Sequence, residues 1–130
     1  QAQLQQMHKL KTGALLSASV QMGAVCGGGE VDGPVFQALT AYGDALGLAF
    51  QVVDDILDVT ASAEMLGKTA GKDAAADKPT FVSLMGLARS REFADALRQQ
   101  ALAALDASGL ALEHTAALRA LALAVVDREQ

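Results

Sequence analysis

The chain has 130 residues, 52% of them hydrophobic, which is enough apolar material for the core of one domain. Its formal net charge of −5 and its 4% aromatic content exclude a nucleic-acid binder, which needs basic patches and stacking rings. Cys26 stands alone and has no partner for an internal disulfide, so the composition fits a reducing, cytoplasmic compartment. Every apolar run is interrupted by Lys, Asp, Gln or Glu before it reaches membrane-spanning length, so no membrane insertion is expected.

In chain order the sequence reads as helices joined by short loops, with no segment alternating like a strand. Residues from about Ala2 to Val25 are rich in Leu, Ala, Gln and Met and stop at Gly27-Gly28-Gly29. Asp32 is the expected cap of a second helix, with Pro34 in its first turn, running through Tyr42 to Val59. Thr60 to Lys78 carry Gly67, Gly71 and several Lys and Asp residues, and read as a polar loop. After Pro79, a helical region is expected from about Thr80 to Leu105, broken near Ser90. Phe93, Leu97, Ala101 and Ala104 recur there at helical spacing. Leu118, Leu121, Ala122 and Val125 form the apolar stripe of a last helix. The fold class is all-α.

Chemistry-bearing residues gather in three places. The first is Phe50-Gln51-Val52-Val53-Asp54-Asp55-Ile56-Leu57-Asp58, an Asp-Asp-x-x-Asp pattern inside an apolar helical run. Asp54 and Asp58 at i and i+4 share a helix face, and no Lys or Arg lies between Leu46 and Thr60 to offset them. An external cation relieves that repulsion, and an all-oxygen donor set favours magnesium or calcium. A solvated acidic helix end is the competing reading of the spacing alone. The second place is Lys11-Thr12-Gly13, a charge, a hydroxyl and a small residue suited to an anionic phosphate. A basic, solvated helix face is its plainer reading, and the first one for His8 and Lys9. The third is Leu66-Gly67-Lys68-Thr69-Ala70-Gly71-Lys72-Asp73, with Lys78 beyond it. It is not a P-loop, because position 62 is Ser and no strand precedes it. Closure over an anion and an ordinary surface loop both remain open.

Together these segments carry a resemblance. Lys11-Thr12, the run from Gly47 to Asp58, the run from Leu66 to Asp73, and Lys78-Pro79-Thr80-Phe81 resemble the trans-isoprenyl diphosphate synthases. Among those, the bacterial farnesyl diphosphate synthases, or geranyltranstransferases, look most similar. The resemblance implies an all-α prenyltransferase fold around a deep cavity, acting as a cytoplasmic homodimer with Mg2+. It implies 1′-4 condensation of an allylic diphosphate with isopentenyl diphosphate to give farnesyl or geranyl diphosphate. By the same resemblance Asp54 is a direct magnesium ligand, while Asp55 and Asp58 act through metal-bound water. Lys11 and Lys68 match lysines that hold the allylic diphosphate, with Lys78 as a further candidate. Thr12 and Gln51 match polar positions near the reacting carbon. Arg128 is similar to basic residues in the C-terminal tail of some relatives. Here Asp127, Glu129 and Gln130 flank it, and the sequence assigns it no role.

Family members carry two acidic motifs and run to about twice this length, whereas Asp-Asp-x-x-Asp occurs here once. Residues 1–130 are therefore expected to be the C-terminal part of a polyprenyl synthase domain, lacking the half that bears the first motif. The piece alone is expected to be inactive. Two further readings stand beside the synthase: a noncatalytic regulatory or interaction subunit with the same helices, and a terpene cyclase fragment.

Overall fold

The computed structural model describes residues 2–8, 12–66 and 79–128. They form six helices and, among these residues, no strand: α1 (Ala2–His8), α2 (Ala14–Cys26), α3 (Pro34–Leu66), α4 (Phe81–Met85), α5 (Leu87–Ala107) and α6 (Leu112–Asp127). The all-α expectation holds.

The 33-residue α3 is the axis of the fold, with α2 and α5 as its main packing partners. Its side chains are buried on several faces: Leu39, Tyr42, Leu46, Ala49, Val52, Val53 and Ile56 all belong to the core. An amphipathic helix buries one stripe, whereas one buried so widely must be clasped by neighbours. Opposite it, α5 offers Ser90, Ala94, Leu97, Ala101 and Leu105, a buried stripe at spacings of three and four. The small residues in that stripe let α5 lie close to α3. Phe81 on α4 is fully buried and meets the Phe93 ring at 5.8 Å and 45°. Such tilted pairs add to simple area burial.

The stop at Gly27-Gly28-Gly29 has a clear cause. Gly29 N–H donates to Ala24 C=O at 2.9 Å and Gly28 N–H to Val25 C=O at 3.0 Å, with Gly28 at φ 86°. This is the Schellman arrangement, and it satisfies the last carbonyls of α2.

Four boundaries differ from expectation. The first helical stretch is interrupted by a widened π turn at Thr12–Gly13, which composition does not reveal. Pro34 does open α3, but Asp32 does not cap it. Asp32 adopts φ 62°, and its carbonyl accepts from Gln37 Nε2 at 3.3 Å. Asp tolerates that left-handed conformation better than most residues. The polar stretch expected from Thr60 starts later, because α3 continues to Leu66; residues 67–78 lie outside the described residues. The break after Pro79 falls at Gly86 (φ 85°) rather than near Ser90. Ser90 sits inside α5, its hydroxyl donating to Gly86 C=O at 2.8 Å.

Tyr42 ties α3 to α6. Its ring is fully buried, and its hydroxyl donates to Leu118 C=O at 2.8 Å. Burial disfavours the phenolate and pushes the Tyr42 phenol up from 10.0 to about 12. The folded state thus holds the proton more tightly than the unfolded chain. The resulting stabilisation is fully present below pH 10 and is lost as pH rises from 10 to about 12. Urea midpoints of the protein should fall over that window, and the Tyr42→Phe variant should lack the corresponding part of the fall. At neutral pH the same variant should lose about 1 kcal/mol, the net worth of one hydrogen bond.

Candidate active site on α3

The register between α2 and α3 positions the candidate residues. Three contacts, at successive heights, run along the antiparallel pair. Gln21 Nε2 donates to Thr40 Oγ1 at 3.0 Å, and Ser17 Oγ donates to Asp44 Oδ1 at 2.5 Å. At the third height the two backbones touch: a Cβ on Gly47 would lie 2.7 Å from Gly13 Cα. Only glycine on α3 permits that approach, and Gly13 belongs to the π turn that carries Thr12. Thr12, half-buried, directly precedes Gly13 in that turn.

From Gly47 the same face of α3 climbs to Gln51, one turn up, and to Asp54, about 10 Å up at 1.5 Å per residue. Gln51 is buried, Asp54 half-buried. Gln51 and Asp54 thus share one face of α3 with Gly47, and Thr12 adjoins Gly13 at the Gly47 contact. Lys11, Lys68 and Lys78 lie outside the described residues.

The three aspartates have different surroundings. Asp54 Oδ1 pairs with the Arg128 guanidinium at 3.2 Å, with side-chain exposures of 42% and 38%. The same guanidinium stacks 4.2 Å above the Phe50 ring, one turn below Asp54 on α3. Asp55 reaches the other way: its Oδ2 accepts from Phe81 N–H at 2.7 Å, at the start of α4. A carboxylate there favours the partial positive charge of a helix start. Asp58, one turn above Asp54, is exposed. Among the described residues, no three His, Cys, Asp or Glu side chains converge on one metal-sized point.

The donor set nevertheless suits a hard cation. Asp54 offers carboxylate oxygens at a half-exposed position, and it already holds a cationic group. Magnesium commonly uses one or two protein carboxylates and fills its remaining positions with water and substrate phosphate oxygens, so a converging triad is not required.

Sequence reasoning singled out Arg128 but assigned it no role. It lies 74 residues from Asp54, and its acidic flanks point away from an anion-binding role. No local signal reports a pair that forms only when α6 folds back along α3. A groove of about 620 Å³ lies elsewhere, between α1, α3 and α5, lined in part by Gln5, Asp44, Leu48 and Gln100. Asp44 is ten residues below Asp54, so this groove is not the acidic site.

The family model for polyprenyl synthetase matches residues 1–111. The chain belongs to the polyprenyl synthetase family. Within that family it is 50% identical over 114 residues to a protein of Bradyrhizobium diazoefficiens named probable farnesyl diphosphate synthase, covering 86% of this chain and 34% of the relative. It is 54% identical over 98 residues to geranylgeranyl pyrophosphate synthase 12, chloroplastic, of Arabidopsis thaliana, covering 75% of this chain and 27% of that protein. Among solved structures it is similar to the geranyltransferase of Helicobacter pylori complexed with magnesium and isoprenyl diphosphate. That likeness has a TM-score of 0.67 and 39% identity, over 98% of this chain and 40% of the other. The chain thus spans about a third of the length of the curated polyprenyl synthetases it matches. No helix among the described residues is long and apolar enough to cross a membrane.

Proposed function

We propose that these residues are the C-terminal part of a magnesium-dependent trans-prenyl diphosphate synthase. The whole enzyme condenses an allylic diphosphate with isopentenyl diphosphate to form farnesyl or geranyl diphosphate. The observation that supports this reading is the face of α3 shared by Gly47, Gln51 and Asp54, with Thr12 next to Gly13 at the Gly47 contact. Names of relatives favour a synthase over a regulatory subunit or a cyclase. The magnesium-bearing Helicobacter relative supports the metal.

Asp54 would hold the magnesium, with Asp58 contributing through bound water and Asp55, whose Oδ2 accepts from Phe81 N–H, doing so only through its other oxygen. The metal, when bound, neutralises negative charge that grows on the departing diphosphate. The chain's own residues serve the same need. Lys11 and Lys68, with Lys78, supply positive charge to the diphosphate. Thr12 and Gln51 turn oxygen dipoles toward the electron-poor carbon, and a buried Gln51 does so with little reorganisation. The surrounding Ala49, Val52, Val53 and Ile56 hold α3 rigid beneath these groups. A cytosolic homodimer completes the reading. Leu15, Met22 and Val25, exposed along one side of α2, leave an apolar face for the rest of the chain or a second subunit to cover.

The test is a product assay on the full-length protein with labelled isopentenyl diphosphate, an allylic diphosphate and magnesium. Labelled farnesyl or geranyl diphosphate is expected from the full-length protein and none from residues 1–130 alone. Lys11→Ala and Lys68→Ala should each weaken diphosphate binding at unchanged fold. A full-length protein that makes no prenyl diphosphate from these substrates overturns the proposal.

A further inference from the structure

Arg128 occupies the place on Asp54 where a cation is wanted. Three contacts hold it. Its Nη2 meets Asp54 Oδ1 at 3.2 Å, its guanidinium lies 4.2 Å above Phe50, and its Nε donates to the Val125 carbonyl at 3.3 Å. Phe50 and Asp54 are one turn apart, so the guanidinium spans a turn of α3 and closes the end of α6 onto it. The adjacent residue grips in the opposite sense: Asp127 Oδ1 lies 3.9 Å from Arg98 Nη1 on α5. That second grip is loose, since 3.9 Å is beyond hydrogen-bond length and Arg98 Nε is buried with no partner. Ala122 and Val125 are buried in the core, with Val126 packed against it, so packing anchors α6 and Arg128 fixes only the turn beyond Val125 on α3.

We propose that Arg128 is a built-in counter-ion for the metal site, and that the turn of α6 beyond Val125 is a latch which a divalent cation opens. Arg128 and the cation share one carboxylate, Asp54, so each weakens the other's hold. With no metal bound, the guanidinium neutralises Asp54 and the last turn of α6 is docked. When the cation takes Asp54, the ion pair is exchanged for metal coordination, and Arg128 keeps only its contacts with Phe50 and the Val125 carbonyl. The latch is weak by construction. Both partners are about two-fifths exposed, and such a pair together with an exposed cation–π contact gives a modest preference for the docked state. A modest latch raises the cation requirement without abolishing binding. By reciprocity, the factor by which Arg128 weakens the cation is the factor by which the cation loosens α6.

The proposal rests on Asp54 being a cation ligand, and the experiment separates the two ideas. Mn2+ binding to the full-length protein is measured by electron paramagnetic resonance, and Mg2+ binding by titration calorimetry, for wild type, Arg128→Gln, Arg128→Lys and Asp54→Asn. Hydrogen exchange over residues 120–128 is followed with and without Mn2+. Arg128→Gln is expected to bind Mn2+ about three- to tenfold more tightly than wild type, as removing a weak competing contact predicts. Arg128→Lys should fall between them, because it keeps the charge but loses the planar stacking. Mn2+ should speed exchange at the end of α6 in wild type and leave it unchanged in Arg128→Gln. That last readout excludes a purely through-space effect of the lost charge, which would tighten Mn2+ without moving α6. If Asp54→Asn binds Mn2+ like wild type, the metal reading fails and the latch fails with it. If Asp54→Asn loses Mn2+ while Arg128→Gln binds it like wild type, the metal reading stands and the latch is overturned. Equal exchange with and without Mn2+ in wild type also overturns it.

Discussion

Replacing Asp54 with alanine in the full-length protein should lower turnover by about 10²- to 10³-fold while leaving the fold intact. The loss is that of a preorganised electrostatic contact to charge that develops only as the diphosphate departs. Stability should hardly change, because the pair Asp54 gives up, with Arg128, is partly exposed and such pairs contribute about 0–1 kcal/mol. Asp58→Ala, one turn further toward the end of α3 and exposed, should cost less. Asp55→Ala should behave differently again. Its carboxylate holds Phe81 N–H, so its removal should show partly as a looser α3–α4 joint. Steady-state turnover at saturating magnesium, set beside urea unfolding of the same variants, separates these effects. Near-native turnover of Asp54→Ala under those conditions would show that the metal assignment is wrong.

How far the sequence foretells this picture depends on the range of the interaction. Local chemistry reads well. The glycine stop after Cys26, Pro34 at the first position of α3 and the α5 stripe through Leu97 and Ala101 each follow from residues within a turn or two. The break in the Pro79 region was legible in kind but not in place. Gly86 carries it with a positive φ, whereas Ser90 bonds back to a helical carbonyl and stays inside α5. Asp32 shows the limit of a capping rule: the same residue type that caps helices also accepts a left-handed backbone. Spacing gives the acidic motif its position on α3 but not the divergent surroundings of its members. Asp54 faces α6 and Asp55 faces α4, and each partner arrives from a distant part of the chain. The π turn at Thr12–Gly13 is likewise silent in the local sequence, and its Gly13 meets α3 across the helix pair at Gly47.

That last contact predicts a substitution whose sign runs against local propensity. In an isolated helix Gly→Ala gains up to about 1 kcal/mol. At Gly47 the added Cβ would stand 2.7 Å from Gly13 Cα, and backbone has no rotamer with which to withdraw. The helices must move apart, so Gly47→Ala should destabilise the protein by about 1–3 kcal/mol, the usual cost of overpacking. Gly23, in the last turn of α2, has nothing within 4 Å of an added Cβ, and there a propensity gain should appear unopposed by any clash. Gly43 is also tight, with the Val20 Cγ2 methyl at 2.9 Å and Ser17 Cα at 3.0 Å, so its alanine variant should be destabilised too. Gly47 differs from Gly43 in what moves. Pushing Gly13 away carries Thr12 with it, and a displacement of about 1 Å in a positioned group can cost about 10²-fold in rate. Gly47→Ala should therefore lose turnover out of proportion to its loss of stability, whereas Gly43→Ala should lose stability with little change in turnover. Urea midpoints and steady-state rates on the three variants measure both axes. A Gly47→Ala protein as stable and as fast as wild type would mean that α2 and α3 do not meet at Gly13, and the proposed role of Thr12 would fall with that contact.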